Sequence, residues 1–310
     1  MSDRRLAQAM APVEVQREVP SNLFKSTNPL LGEVLENRRL TPPERPPSND
    51  VRHIVLSSPG LSYLPGQSIG VVPEGYDLRS GKPHKLRLYS VSSESKGDYG
   101  DGQTVSTVVV RHFWDNEETG ETSIPGVCSK QLCDCEAGDK VKLTGPVGKR
   151  FLLPTDFHER DLIFVATGTG IAPYRGMLKE VFDQDYRGRL FLIFGVQYAD
   201  TVLYDDEFRS YLNRRNFRYI TALSREAEKN PFPDEVPTRG NKMYVQVRMW
   251  QHREEIRQSL EKPDTIVYQC GLKGMEQGVL QVIDKIGEEM AAPNLSERMQ
   301  AEGRMLLEVY

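Results

Sequence analysis

The spacing of apolar positions along the chain changes near residue 155. From 51 to about 154 they come in short runs broken by glycine, proline and polar turns. Val51–Ser57 alternates imperfectly, Gln67–Val72 is short and apolar, and Arg87–Ser92 follows a Gly/Pro/His turn. Thr104–Trp114 is a long β-branched run, and Lys140–Thr144 precedes the turn Gly145-Pro146. Strands punctuated in this way predict a barrel or sandwich. Beyond 155 the pattern lengthens. Asp161–Ala166, Arg189–Gly195, Phe217–Leu223 and Thr265–Cys270 read as buried strands, followed by helical periodicity over Ala172–Phe182, Asp205–Arg214, Val247–Leu260 and Glu276–Met290. Four strand–helix alternations predict βαβ units on a parallel, doubly wound sheet. The expected organisation is a flexible N-terminal extension over 1–22, a β domain over 23–155 and an α/β domain over 156–310.

Parallel sheets bind ligands beyond the carboxyl ends of their strands, so those segments carry the candidate chemistry. The first strand runs into Ala166-Thr167-Gly168-Thr169-Gly170-Ile171-Ala172-Pro173, a glycine turn opening a helix whose free N–H groups favour phosphate. Pro173 suits the first helical turn but stands where a dinucleotide fingerprint has its third glycine. The second strand ends Phe194-Gly195-Val196-Gln197 without the acid that would hold ribose hydroxyls. The third ends Ser224-Arg225-Glu226, a hydroxyl and a guanidinium suited to a 2′-phosphate. Lys242-Met243-Tyr244-Val245-Gln246 adds a cation, a ring and an amide. The fourth ends Cys270-Gly271-Leu272-Lys273-Gly274, small residues with a thiol at the brink. In the β half, Arg87-Leu88-Tyr89-Ser90 offers a cation and an aromatic ring two apart, hence on one strand face. Gly126-Val127-Cys128-Ser129 looks like a helix start, and Trp114 is a ring able to stack a base.

Composition narrows this mainly by exclusion. Of the 310 residues, 40 are Lys or Arg against 44 Asp or Glu, a formal charge of −4, which excludes a generally basic nucleic-acid coat. No apolar run approaches the ~18 residues of a transmembrane helix. The first 22 residues mix Arg4, Arg5 and Arg17 with Asp3, Glu14 and Glu18 around no apolar centre, unlike a signal peptide or an intact transit peptide. Cys128, Cys133 and Cys135 are spaced C-x4-C-x-C, one residue short of a plant-type iron–sulfur run, and the other thiol, Cys270, is remote. Reduced thiols and no metal are expected.

Taken in order, these pieces resemble the plant-type ferredoxin–NADP reductase family. The matching set is Gly66-Gln67-Ser68-Ile69-Gly70, His84 through Ser90, Gly126 through Ser129, Leu143 through Lys149, the Gly168 loop, Ser224-Arg225-Glu226, Lys242 through Gln246, Cys270 through Glu276 and the terminal Glu308-Val309-Tyr310, over about residues 28–310. The resemblance implies an antiparallel barrel binding FAD followed by a doubly wound NADP domain. Arg87, with Leu88, would hold the FAD pyrophosphate, Tyr89 would stack on the isoalloxazine, and Ser90 would hydrogen-bond near N5. Gly126, Val127, Cys128 and Ser129 would cradle the pyrophosphate, Trp114 would stack the adenine, and Val108 and Val110 would lie beside the cofactor. Thr169, Gly170, Pro173, Gly271 and Leu272 would meet NADP. Ser224, Arg225, Lys242, Tyr244 and Gln246 would grip its 2′-phosphoadenosine. Cys270 and Glu308 would line the nicotinamide pocket, and Tyr310 would cover the other flavin face.

The sequence departs from plant members at Val110, where they carry a basic residue, and at Met305-Leu306-Leu307, where they carry a tryptophan. The implied activity is electron transfer between NADP(H) and an acidic one-electron carrier, ferredoxin or flavodoxin, through hydride transfer at flavin N5. Lys82, Lys85, Lys149, Arg150 and Arg304 are the candidate docking cations. The expected form is a monomer with no transmembrane segment, in a bacterial cytoplasm or an organelle stroma. The alternatives are an NADPH-dependent flavoreductase serving an oxygenase or another acceptor, and a redox-inert nucleotide-binding protein.

Overall fold

The computed structural model describes residues 18–77 and 80–309. Its first half is built on strands β1 (Leu30–Arg39), β2 (Val51–Ser57), β3 (Ser68–Val72), β4 (Arg87–Ser90), β5 (Thr104–Val110), the short pair β6 (Phe113–Trp114) and β7 (Ile124–Pro125), helix α1 (Val127–Asp134) and β8 (Lys140–Val147). Six of these strands pair antiparallel in the order β4-β3-β8-β1-β2-β5. The two edges then meet. Val91 bridges to Thr107, the Ser92 N–H donates to the Ser106 carbonyl (2.8 Å), and Thr107 Oγ1 donates to the Ser90 carbonyl (2.9 Å). Closure leaves no open edge. Val34, Ile54, Leu56, Ile69, Val71, Val105 and Leu143 fill the interior.

Three local expectations change. The run Thr104–Trp114 is two strands, because Arg111, bonded to Asp50 (3.1 Å) and Asp134 (2.7 Å), marks where the chain leaves the barrel for the β6–β7 ribbon. β8 continues through Gly145-Pro146, a cis peptide, instead of turning there. β1, with Glu33, Glu36, Arg38 and Arg39 among its residues, gave no strand signal and forms by pairing with β2 and β8. Part of the expected loose extension is also tied down. The Pro20 carbonyl accepts from buried Gln67 Nε2 (2.8 Å), and the Asn22 N–H donates to the Pro146 carbonyl (2.8 Å).

The second half holds β9 (Leu162–Thr167), α2 (Ala172–Phe182), β10 (Leu190–Val196), α3 (Asp205–Ser210), β11 (Phe217–Leu223), α4 (Val245–Gln251), α5 (Arg253–Leu260), β12 (Ile266–Gly271), α6 (Lys273–Glu289), α7 (Leu295–Ala301) and β13 (Met305–Val309). All five strands are parallel, in the order β11-β10-β9-β12-β13. Helices cover both faces, so β9, β10 and β12 are almost wholly buried and apolar. The helix expected over 247–260 is broken at His252 (φ −101°, ψ 18°). α7 and β13 were not expected. β13 is five residues long and exists by pairing with β12, which no local pattern announces.

The halves share one core. A single cluster runs from Val51 and Val108 of the barrel through Phe151 and Leu153 to Phe164, Tyr174 and Tyr268 of the sheet domain. Phe164 and Tyr174 stack at 4.7 Å, and Tyr268 Oη donates to the Leu152 carbonyl (2.7 Å). Below the sheet, fully buried Asp161 accepts from the Arg189 N–H (2.9 Å), Ser259 Oγ (2.7 Å) and Lys262 Nζ (2.8 Å). Asp161→Ala leaves buried Ser259 without its acceptor and removes the Lys262 ion pair, and is expected to cost about 2–3 kcal/mol in urea unfolding. An unchanged midpoint would show that these donors re-pair without it.

Candidate functional site

The barrel side of the site begins on β4. Arg87 is exposed, its Nη1 donates to the carbonyls of Lys85 (3.0 Å) and Leu86 (3.2 Å), and it has no ion pair among the described residues. Leu88 is 56% exposed, whereas Tyr89 and Ser90 are half-buried, so exposure grades along the strand instead of alternating. The Tyr89 phenol hydrogen-bonds the Cys128 thiol, and burial raises both groups above their ordinary pKa. Cys128 therefore supports Tyr89 from α1. The start of α1 at Gly126 has no side-chain cap, which leaves first-turn N–H groups for an anion. Ser129 Oγ accepts from the His112 N–H (3.2 Å) and donates to the Gly126 carbonyl (3.1 Å), fixing that turn. Val127 (47%) and Trp114 (44%) are exposed apolar groups. An uncapped helix start, an exposed guanidinium and exposed apolar side chains fit the pyrophosphate and flat rings of a dinucleotide.

Val110 is half-buried at the end of β5, packed against the shared core. Val108 is 5% exposed, with its side chain enclosed in that core. Arg304 corrects an expectation. It is 6% exposed, bonded to Glu302 (2.5 Å) and the Thr265 carbonyl (3.2 Å), so it cannot serve a docking surface. Lys82, Lys85, Lys149 and Arg150 are exposed. Tyr310 lies outside the described residues.

The sheet side lies past β9 and β12. Gly168–Ile171 forms one 3-10 turn leading into α2, with Pro173 in the first helical turn. This loop is seated directly on β12: a Cβ at Gly170 would lie 2.3 Å from the Cys270 carbonyl oxygen and 2.7 Å from the Gly271 Cα. The Leu272 N–H donates to Thr167 Oγ1 (3.1 Å), closing the pair of strand ends, and Leu272 itself is 61% exposed. In the β12–β13 register Cys270 stands opposite Glu308. Cys270 is fully buried, and burial and the charge of Glu308 push its thiol well up. Burial raises the Glu308 carboxyl to about 7, and its Oε2 is buried with no hydrogen-bond partner among the described residues. Such an atom lacks the partner that buried polar groups ordinarily have and is suited to a polar group of a bound ligand.

The outer end lies past β10 and β11. The Ser224 N–H donates to the Val196 carbonyl (3.0 Å), and the Arg225 N–H to the Gln197 carbonyl (2.8 Å), so the two strand ends run on together. The Arg225 side chain is exposed. Its Nη1 reaches Tyr198 Oη at 3.5 Å and its guanidinium lies 5.9 Å from that ring. Arg45, from the proline-rich segment between β1 and β2, covers Tyr198 at 3.8 Å and grips Asp200 through both Nε and Nη2. Tyr244 precedes α4, Lys242 is half-buried two residues earlier, and Gln246 lies against Gly278 of α6. Arg45 and Tyr198 were not anticipated. Tyr198 stands one residue beyond the strand end inspected for an acid, while nothing local distinguishes Arg45.

The four cysteines are unpaired. Burial pushes Cys133 to about 12 and Cys135 to about 11, so both stay protonated at neutral pH. Among the described residues no three His, Cys, Asp or Glu side chains form a metal-holding group.

Residues 164–281 match the family described as Oxidoreductase NAD-binding domain. The chain is 42% identical to the ferredoxin–NADP reductase of Thermosynechococcus vestitus over 97% of this chain and 78% of that one. It is 42% identical to the chloroplastic leaf isozyme 1 of Arabidopsis thaliana over 86% of this chain and 75% of that one. Among solved structures, the ferredoxin–NADP+ reductase of Plasmodium falciparum superposes with a TM-score of 0.72 at 26% identity, covering 94% of this chain and all of that one. The same enzyme with 2′P-AMP superposes at 0.70 and 25% identity, covering 93% and 99%.

Proposed function

The chain belongs to the ferredoxin–NADP reductase family, and from that premise we propose that it passes electrons between NADP(H) and a ferredoxin, using FAD held by the barrel. The observation that carries the reading is a matched pair of exposed guanidinium groups. Arg87 lies on β4, where Tyr89 meets the uncapped α1 through Cys128, and Arg225 lies beside Ser224 past β11, each without an ion pair among the described residues. Each is a cation left for an anionic ligand, and the core that joins the two halves carries Cys270.

Bound FAD supplies hydride exchange at N5 and single-electron exchange with the carrier. The protein's own part is binding, orientation and proton control. Arg87, Leu88 and residues 126–129 would hold the pyrophosphate, Tyr89 would stack on the isoalloxazine, Trp114 would stack the adenine, and the Ser90 hydroxyl would serve N5. Ser224, Arg225, Lys242, Tyr244 and Gln246 hold the 2′-phosphoadenosine, and Tyr198 orients Arg225. Thr169, Gly170, Pro173, Gly271 and Leu272 shape the path of the nucleotide. Cys270 bounds the nicotinamide pocket, and Glu308 holds a proton at its buried carboxyl. The role implied for Tyr310, covering the other flavin face, rests on the family resemblance.

Lys82, Lys85, Lys149 and Arg150 form the docking face for an acidic carrier, ferredoxin first and flavodoxin second. Both halves of the site come from one chain, which supports a monomer as the acting form. No helix among the described residues is long and apolar enough to cross a membrane, and a bacterial cytoplasm or an organelle stroma is the setting that fits the family.

The purified protein should be yellow, be bleached by NADPH, and reduce cytochrome c only when ferredoxin is added. With NADPH saturating, that turnover should fall steeply between low salt and 1 M, where the screening length is ~3 Å. A colourless protein after FAD reconstitution overturns the redox reading. Ferredoxin-independent turnover with flat salt dependence favours the flavoreductase alternative.

A further inference from the structure

The seam between the halves contains one concentrated set of buried charge. Arg175, in the first turn of α2, has a side chain 7% exposed. Its Nη1 donates to Asp98 Oδ1 (2.6 Å) and to the Ser92 carbonyl (3.2 Å), and its Nε donates to Glu207 Oε2 (2.9 Å). The guanidinium lies over the Tyr204 ring at 4.9 Å. Tyr204 Oη in turn bonds His53 Nδ1 (2.8 Å) on β2. Burial, then the Arg175 charge, holds His53 down to about 3, so it is neutral and Arg175 is the cation that balances Asp98. Nothing in the proposed chemistry uses these groups.

Their position along the chain is what matters. Asp98 and Ser92 belong to the barrel, and Ser92 follows Ser90 by two residues. Arg175 follows Ile171, the last residue of the nucleotide loop, by four. The same joint is closed sterically, since a Cβ at Gly176 would lie 2.3 Å from the Ser93 carbonyl oxygen and 2.8 Å from its carbon. One ion pair and one helix–backbone contact therefore link the strand that presents Ser90 to the loop that presents Thr169 and Gly170.

The geometry points to Arg175, with Asp98 as its counter-charge, as a positioning residue that sets the flavin-side strand against the nicotinamide-side loop and thereby the rate of hydride transfer. This rests on the functional reading above. Reaction rates respond to misplacements on the order of 1 Å by about a hundredfold, and a joint this close to both half-sites transmits such shifts directly. Lysine at 175 keeps the charge but cannot serve Asp98, the Ser92 carbonyl and Glu207 together. Alanine at 176 keeps every charge and wedges α2 away from Ser93.

The test uses Arg175→Lys and Gly176→Ala in the FAD-loaded protein. Both should keep their flavin and bind 2′-phospho-AMP by calorimetry as the unmodified protein does, because the adenosine grip is elsewhere. Both should lose the long-wavelength charge-transfer absorbance that nicotinamide stacked on flavin produces with NADP+. Flavin reduction by NADPH in stopped flow should slow on the order of ten- to hundredfold, with kcat lowered and KM little changed. A Gly176→Ala protein with normal charge-transfer absorbance and normal reduction rate overturns the inference, even if Arg175→Lys folds poorly. Loss of 2′-phospho-AMP binding in both variants also overturns it, because the damage is then not confined to the joint. An unmodified protein that NADPH does not reduce removes the functional reading and this inference together.

Discussion

Arg225→Ala is expected to weaken NADPH binding about ten- to a hundredfold while leaving NADH nearly unchanged. A charge-assisted hydrogen bond is worth ~1.5–3 kcal/mol, and each ~1.4 kcal/mol is a tenfold change in affinity. The arginine is exposed and its side-chain contact is the neutral Tyr198 hydroxyl at 3.5 Å, so no internal ion pair is lost with it. The whole loss falls on the ligand's 2′-phosphate, which NADH lacks. Difference spectroscopy with both nucleotides on both proteins decides the matter. Equal losses for NADPH and NADH would remove Arg225 from the phosphate site.

Glu308→Gln is expected to change how the FAD-free protein responds to pH. Burial raises the Glu308 carboxyl from 4.5 to about 7. The unfolded chain therefore ionises first as pH rises, while the folded chain keeps its proton. The contribution from Glu308 is fully present below pH 4.5 and is lost as pH rises through about 7. At ~1.36 kcal/mol per unit, the full loss reaches about 3 kcal/mol. Glutamine does not ionise, so the variant should match the unmodified protein near pH 4.5 and exceed it by up to about 3 kcal/mol at pH 8. Urea unfolding of both proteins between these limits tests this. Parallel curves would mean that Glu308 titrates as an exposed carboxyl and holds no proton for the nicotinamide pocket. In the loaded enzyme the same substitution should flatten the alkaline limb of the pH–rate profile, because the group able to take up and release the proton near pH 7 is gone.

The β half, the α/β half and the glycine-rich and cationic segments at the strand ends were legible in the sequence because each rests on a local pattern. Short runs broken by glycine and proline in 51–154 become a barrel, and buried strands alternating with helical periodicity become the parallel sheet. The Gly168 loop, Ser224-Arg225 and Arg87–Ser90 are contiguous motifs whose place at a strand end, or on a strand, follows from the elements around them. The boundaries that failed are those where distant side chains decide. Arg111, tied to Asp50 and Asp134, marks where the long β run divides, and β1 and β13 are strands only because partners far along the chain complete their hydrogen bonds.

The tertiary structure alone decided which residues share an environment. It set Glu308 opposite Cys270 through the β12–β13 register, and burial there raised its carboxyl to about 7. It enclosed the Val108 side chain, sent Arg304 inward, against the expectation of a docking cation, and brought Arg45 across from the barrel half onto Tyr198. It also closed Arg175 on Asp98 between the two halves. A sequence lists ionisable groups, rings and glycines at their spacing along the chain. Their pKa, exposure and partners depend on what the fold places within a few ångströms, and for Glu308 beside Cys270, Arg175 on Asp98 and Arg45 on Tyr198 that neighbour lies tens of positions or more along the chain.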